Sequence, residues 1–360
     1  MFSPRQMLSL TARALPAALA RPAGRPVALF FHGVEREATN PRVQVNHMAA
    51  GDFRRIAAIL KRDFDVLPYA AMDHALRRPA QHRRAVFLMS DDGYANLFAT
   101  GAPILAEFSL PWTLFVSTHH IDTGEPNPFL IARLFFHFAP VGSYRIPHYP
   151  AVVTLGESNR EAAARQGIAW LRLSKAEQAI GVVRAMSASL PNLDGLLARF
   201  PSERFLSWQE VRALAAKGVE IGAHAHDHWA MSAQQSPSQL AAQARTAHAR
   251  LTAELGKPPH AFAYPFGNVD DVSADAWRAV RDAGFKRAFT TLSGTLDAGR
   301  NPFLMPRFEL NPREAHLASL VPLIRLANPR LVRWQKALSG TATSNPDPAR
   351  AGRPVSAQAE

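Results

Sequence analysis

The sequence predicts an α/β protein built on a parallel sheet, and three observations carry that prediction. Short apolar runs alternate with helical patterns from about residue 26 to about residue 310, the rhythm of strands joined by crossover helices. Each run has the length of a buried strand and ends in turn residues. Three clusters of chemistry-bearing residues each follow such a run directly, at the strand ends where the loops of an α/β barrel gather an active site. With 360 residues, 47% of them hydrophobic, the chain can bury one large barrel or the cores of two ordinary domains.

Taken in order, the strands are Pro26 to Phe31 (PVALFF), Ala85 to Met89 (AVFLM), Trp112 to Ser117 (WTLFVS), Val219 to Gly222 (VEIG), Ala261 to Tyr264 (AFAY) and Arg287 to Thr291 (RAFTT). The helix between Ser207 and Lys217 opens on a capping box of Ser207 and Glu210. It sets Val211, Leu214 and Ala215 on one face and stops at Gly218, which delivers the chain into VEIG. Helices from about Ser238 to Leu255 and from about Ser273 to Ala283 end at Gly256 and Gly284, where a left-handed cap is wanted. Between about Thr118 and Arg204 the rhythm breaks into a long, mostly helical insertion containing NPFLIARLFFHF and EAAARQGIAWLRL, suited to a lid or a substrate wall. The expected organisation is a basic extension over 1–25, a barrel domain over 26–312 with its insertion at about 118–204, a C-terminal helical segment over 313–338, and a tail over 339–360. That tail is too small, polar and proline-rich to offset its ordering entropy.

Composition narrows the chemistry. With no cysteine there is no disulfide framework, thiolate ligand or cysteine nucleophile, so a metal would need nitrogen and oxygen donors, and 14 histidines are available. The net charge of +12 invites nucleic acid, but the arginines spread over helix faces and both termini without aromatic interleaving, and no nucleic-acid motif is readable; no nucleic-acid partner is expected. At the N-terminus Arg13 interrupts the apolar stretch, whereas an export signal needs roughly 7 to 15 uninterrupted apolar residues. The segment therefore reads as a basic amphipathic extension able to touch anionic lipid; the expected location is the cytoplasm, with contact at the inner face of the membrane open to this extension and export as the alternative.

The first chemical cluster is Ser90, Asp91, Asp92, Gly93, Tyr94. Two adjacent carboxylates at the end of an apolar strand cost several kcal/mol if buried unpaired, and a cation is the simplest compensation. The plainer reading is a polar strand end with one Asp capping the next helix. The second cluster is the run Ile221 to His228, in which His224 and His228 stand four residues apart and can meet one ion. Taken alone the pair also suits surface histidines. Joined to Asp92 it supplies two nitrogens and one oxygen and leaves a position for water, as catalytic sites do. The third cluster, Phe262 to Asn268 (FAYPFGN), surrounds an aromatic with Pro and Gly, making either an ordinary turn or a rigid one that aims a backbone N–H at an oxyanion.

Together these segments resemble the polysaccharide deacetylases of carbohydrate esterase family 4, the NodB homology domain, over roughly Pro26 to Leu310. MSDDGY resembles that family's first motif, HAHDH within EIGAHAHDH its paired-histidine motif, and FAYPFG its third. The resemblance implies a distorted (β/α)7 barrel of the polysaccharide deacetylase type with a helical insertion. It also implies a divalent metal, Zn2+ foremost with Co2+, Ni2+ or Mn2+ as alternatives, held by Asp92, His224 and His228. Asp91 would be the base acting on a metal-bound water, and the turn of Tyr264, Pro265, Phe266 and Gly267 would bind substrate, with the Phe266 N–H at the oxyanion. Two departures matter. Ala263 stands where the third motif usually has an Arg that orients the base, and Arg307 in MPRFEL is the expected substitute. The usual late Leu-x-His is absent, so His32 in LFFHGV is expected to protonate the leaving amine, as a histidine does in the poly-N-acetylglucosamine deacetylase branch that this opening resembles. His226 and Asp227 read as supporting or surface residues.

The implied activity is N-deacetylation of an amino sugar in a glycan or glycoconjugate, making an N-acetylated carbohydrate the expected partner. Two other readings compete. One is a deacylase of non-sugar amides on the same scaffold, against which aromatic platforms at Trp112, Trp229 and Phe266 would speak. The other is a glycan-binding homologue that has lost activity along with the missing Arg and late His.

Overall fold

The structure, a computed structural model, describes residues 25–36 and 40–310. The expected helical segment at 313–338, the tail at 339–360 and nearly all of the N-terminal extension lie outside the described residues. The chain enters through β1 (Val27–Phe31) and a small parallel pair, β2 (Gly33–Glu35) with β3 (His47–Ala49). It continues through α1 (Ala50–Asp63), β4 (Asp65–Val66), α2 (Met72–Arg77), β5 (Ala85–Ser90), α3 (Ala102–Glu107) and β6 (Trp112–Val116). The insertion holds α4 (Thr118–Thr123), α5 (Pro128–Phe138), an antiparallel hairpin of β7 (Gly142–Tyr144) and β8 (Val153–Leu155), then α6 (Arg160–Arg172), α7 (Ala176–Ala188) and α8 (Leu193–Ala198). Alternation resumes with α9 (Trp208–Ala216), β9 (Glu220–Ala223), α10 (Pro237–Leu255), β10 (Ala261–Ala263), α11 (Ala274–Asp282), β11 (Arg287–Phe289) and β12 (Phe308–Glu309).

The main sheet runs β11, β10, β9, β6, β5, β1, β12, with all of these neighbours parallel. It curls, because the segment that ends in β12 reaches across from the last strand to the first. Met305 bridges Phe289 in parallel while Phe308 pairs with Leu29, and the Leu310 N–H donates to the Phe30 carbonyl at 2.7 Å. Every apolar run became a strand of this sheet. The strands are buried on both faces, as parallel strands covered by helices must be.

The period of two sorts their side chains. Val27, Leu29, Phe31, Val86, Leu88, Leu114, Val116 and Ile221 face outward and pack with Phe53, Ile56 and Leu60 of α1 and with Leu240, Ala244 and Leu251 of α10. Ala28, Phe30, Phe87, Met89, Phe115, Ala261, Ala263 and Phe289 form a separate inner cluster. Trp112 belongs to the outward set at 6% exposure, so it is a core residue and no sugar platform, a correction to the sequence reading.

Local chemistry fixes the helix ends. Ser207 and Glu210 form the expected capping box, and Ser236 with Gln239 forms a second one, with Pro237 in the first turn of α10. Gly256 caps α10 at φ 69°. The insertion is mainly helical, as expected, and has its own core around Phe129, Leu134, Phe135, Phe136, Val182 and Met186. The hairpin within it was not expected. Among the described residues no helix is long and apolar enough to cross a membrane.

Candidate active site

Three strand ends build the site. Continuing the inward parity of β1, β5 and β9 one step past each strand places His32, Asp91 and His224 at the mouth of the inner cluster. Asp91 is tied to the first strand by its N–H, which donates to the Phe31 carbonyl at 3.0 Å. Asp92 then departs from strand geometry at φ 72°, followed by Gly93 at φ 84°. That reversal carries Asp92 to the same side as its neighbour, and a Cβ at Gly93 would press on Val116 at 3.0 Å. A non-glycine residue held in the left-handed region stores strain, a feature that concentrates at functional sites.

Asp92 meets both histidines. Its Oδ1 lies 3.2 Å from His224 Nε2 and 3.0 Å from His228 Nε2, and all three residues are buried. His224 is oriented by its Nδ1, which bonds the Ala263 carbonyl at 2.8 Å, so Nε2 points inward. His228 also sits in the left-handed region, at φ 58°, and Asn127 Nδ2 lies 3.4 Å from its Nδ1. Burial alone would raise the Asp92 carboxyl, but the imidazoles of His228 and His224 outweigh it and hold the group well below the ordinary carboxylate range. Burial pushes His228 down and favours its neutral ring. For His224 burial acts the same way, but the charges of Asp91 and Asp92 overcome it and raise the group.

Asp91 is handled differently. Arg307 reaches it from beside β12 with two parallel bonds, Nη1 to Oδ1 and Nη2 to Oδ2, each 2.7 Å. The guanidinium is fully buried, donates from Nε to the Thr290 carbonyl at 3.1 Å and lies 4.3 Å over the Phe30 ring. Burial raises the Asp91 carboxyl, and Arg307 with His224 more than reverses that, leaving it below its ordinary value. The substitute arginine expected for Ala263 thus stands against the carboxylate it was assigned to.

His32 is half-buried at the end of β1, its ring 5.7 Å from that of Phe30. In the third cluster Phe266 takes φ 61° and Gly267 φ 64°. Thr291 pins this turn: its Oγ1 donates to the Phe266 carbonyl at 2.6 Å and its N–H to the Gly267 carbonyl at 3.0 Å. The Phe266 N–H donates to no acceptor among the described residues, and the Phe266 ring lies 5.4 Å from that of His228. Tyr264 departs from the expectation. Its side chain is fully buried and its hydroxyl donates to the Phe303 carbonyl at 3.0 Å, so it supports the turn from beneath rather than facing a substrate. Trp229 is likewise packed into the insertion's core at 4% exposure.

Sequence reasoning missed Asn127, whose side chain caps α5 through the Phe129 N–H at 2.8 Å while facing His228. Its Asn-Pro pair is a readable helix start, but nothing local reveals what the capped helix approaches.

The donor set suits a divalent cation. Among the described residues no Arg or Lys pairs with Asp92, and two inward imidazole nitrogens with one carboxylate oxygen lie within 4.8 Å of one another. Two imidazole nitrogens converging with one buried carboxylate oxygen make a donor set of the kind catalytic zinc sites use, so the residues present fit such an ion.

A curled parallel barrel that gathers this constellation at its strand ends is a barrel hydrolase by class. The family model for polysaccharide deacetylases matches residues 78–288, more than half of the chain, and the chain belongs to that family, as an enzyme of the carbohydrate deacetylase type. Solved structures share the fold at low identity. Deacetylase PplD of Streptococcus pyogenes, in complex with acetate, is 14% identical with a TM-score of 0.54, covering 84% of this chain and 99% of its own. A de-N-acetylase from Aggregatibacter actinomycetemcomitans is 16% identical with a TM-score of 0.52, covering 83% and 100%. IcaB from Ammonifex degensii is 14% identical, also at 0.52, covering 84% and 97%. No curated protein matches the chain.

Proposed function

We propose that the protein removes N-acetyl groups from an amino sugar within a glycan or glycoconjugate, with a divalent ion held by Asp92, His224 and His228. The observation that carries this reading is the buried convergence of those three side chains beside a separate, arginine-paired carboxylate. Bound there, the ion, Zn2+ foremost, would supply Lewis-acid chemistry to the amide carbonyl and lower the pKa of water. The chain supplies the rest. Asp91, held ionised by Arg307, takes the proton of the attacking water. Arg307 fixes the carboxylate plane, so that its direction is set before substrate arrives. The Phe266 N–H, aimed by the pinned turn, donates to the developing oxyanion. His32 delivers a proton to the departing amine nitrogen, the part usually taken by the late histidine this chain lacks. Arg307 in place of the missing motif arginine favours an active enzyme over a binding-only homologue.

The test is acetate release from N-acetylated glucosamine oligomers after chelator treatment and after return of Zn2+ or Co2+. Activity should vanish with chelator and return with metal, while Asp91→Asn and His224→Ala should lower kcat by about 100-fold or more, the scale of general-base loss. Full activity in either variant overturns the mechanism.

A further inference from the structure

The turn that carries His224 and His228 has two donors left over. Ala225 and His228 both take left-handed backbone, at φ 59° and 58°, and between them His226 and Asp227 face away from Asp92 toward α4. The two segments are locked together. The His119 N–H donates to the His226 carbonyl at 3.0 Å, and the Thr118 hydroxyl lies 2.7 Å from His226 Nδ1, which occupies that nitrogen and leaves Nε2 to face Asp227 Oδ1 at 3.4 Å. Gln243 of α10 clamps the turn from behind. Its Oε1 accepts from the N–H groups of His226 at 3.0 Å and Asp227 at 2.9 Å, and its Nε2 donates to Asp227 Oδ2 at 2.8 Å. Asp227 therefore gives Oδ2 to Gln243 and turns Oδ1 toward His226 Nε2, so these two donor atoms face one another.

Across from this turn stands His119, its ring 5.5 Å from that of His226 and its Nε2 3.1 Å from Glu125 Oε2. One ring nitrogen from each histidine and one carboxylate oxygen of Asp227 lie within 4.8 Å of one another. No side chain is shared with the buried triad. Two imidazoles and a carboxylate without thiolate select zinc, nickel or copper over calcium or magnesium, which favour all-oxygen shells. The three side chains are 24–37% exposed, so water can complete the shell. They also line one end of a cavity of about 810 Å3 under the insertion, together with Glu125 and Trp229.

We propose that His119, His226 and Asp227 form a second divalent transition-metal site, with Glu125 in reach as a fourth donor. Metal there ties α4 of the insertion to the turn that presents His224 and His228, so the HAHDH segment serves two ions from its opposite faces. The open, hydrated site binds more weakly than the buried one.

The experiment is calorimetric titration of the chelator-stripped full chain with Zn2+, repeated with Co2+ and read by visible absorption, on wild type and on His119→Gln, Asp227→Asn and His224→Ala. Asp227→Asn keeps an acceptor for Gln243 and His119 is a surface residue, so both variants should fold, as circular dichroism would verify. Wild type should bind two equivalents per chain. His119→Gln and Asp227→Asn should each weaken only the looser event, by tenfold or more, and His224→Ala only the tighter one. One equivalent in wild type, lost in His224→Ala and untouched by the other two changes, overturns the second site and leaves the buried triad standing. One equivalent lost in His119→Gln and Asp227→Asn yet kept in His224→Ala supports the second site and overturns the triad.

Discussion

Arg307 and Asp91 are both fully buried, and each is the other's ionic partner. Burying two charges costs more than their attraction returns unless the geometry is close to ideal, and removing one partner strands the other. Arg307→Met should therefore destabilise the protein by about 3–5 kcal/mol. Adding Asp91→Asn should recover much of that loss, because the stranded charge disappears, while activity stays absent in both variants. Denaturant unfolding of the two singles and the double closes the cycle. Equal costs for Arg307→Met with and without Asp91→Asn would mean that the pair is not coupled. This residue pair also marks how far the site was legible. Asp91 announced itself as one of two adjacent carboxylates after an apolar strand, whereas Arg307 sits 216 positions away and was reachable only through the motif arginine missing at Ala263. Asn127 and the packed side chain of Tyr264 were not legible, because a hydrogen-bond partner from another element leaves no local pattern.

At the scale of elements, the strands were readable because both faces of each are buried, which makes the run continuous in apolar residues. β12 and the β7–β8 hairpin were not. They are only two or three residues long per strand, and β12 is held by its ladder to β1 rather than by any pattern of its own. β9 shows how one residue in a readable strand positions the site. Gly222 faces the inner cluster two residues before His224, and a Cβ there would lie 2.6 Å from the Phe115 ring and 2.7 Å from the Ala261 carbonyl. Neither neighbour can yield easily, since one is core and the other is the backbone of β10. Gly222→Ala should cost about 1–3 kcal/mol by overpacking and should shift the strand end that carries His224. Thermal unfolding would measure the first effect, and chelator competition for metal would measure the second. Unchanged stability would show that β9 and β10 have room the structure does not display.

The whole molecule has two main packing units, the barrel with its helices and the insertion with a core of its own. They meet at the site. Phe129 of α5 touches Trp229 at 5.4 Å and Phe266 at 4.8 Å between ring centroids and lies 6.4 Å from His228, so the insertion's core continues into the residues flanking the histidine turn and the oxyanion turn. A unit with its own core can open on its own, at a free energy below that of global unfolding. Phe135 is fully buried at the centre of the insertion's core, against Phe136 and Tyr144. Phe135→Ala should cost that unit about 3–5 kcal/mol. In native-state hydrogen exchange the amides of α5, α6 and α7 should then lose roughly 100-fold or more of their protection, since each 1.4 kcal/mol is about a tenfold change. Amides of β5 and β6 should keep theirs. Deacetylase activity should fall along with the insertion's protection, because His228 and Phe266 lose the wall they lean on. Equal loss of protection in β6 and α5 would instead make barrel and insertion a single cooperative unit, and the site would then be held by the fold as a whole.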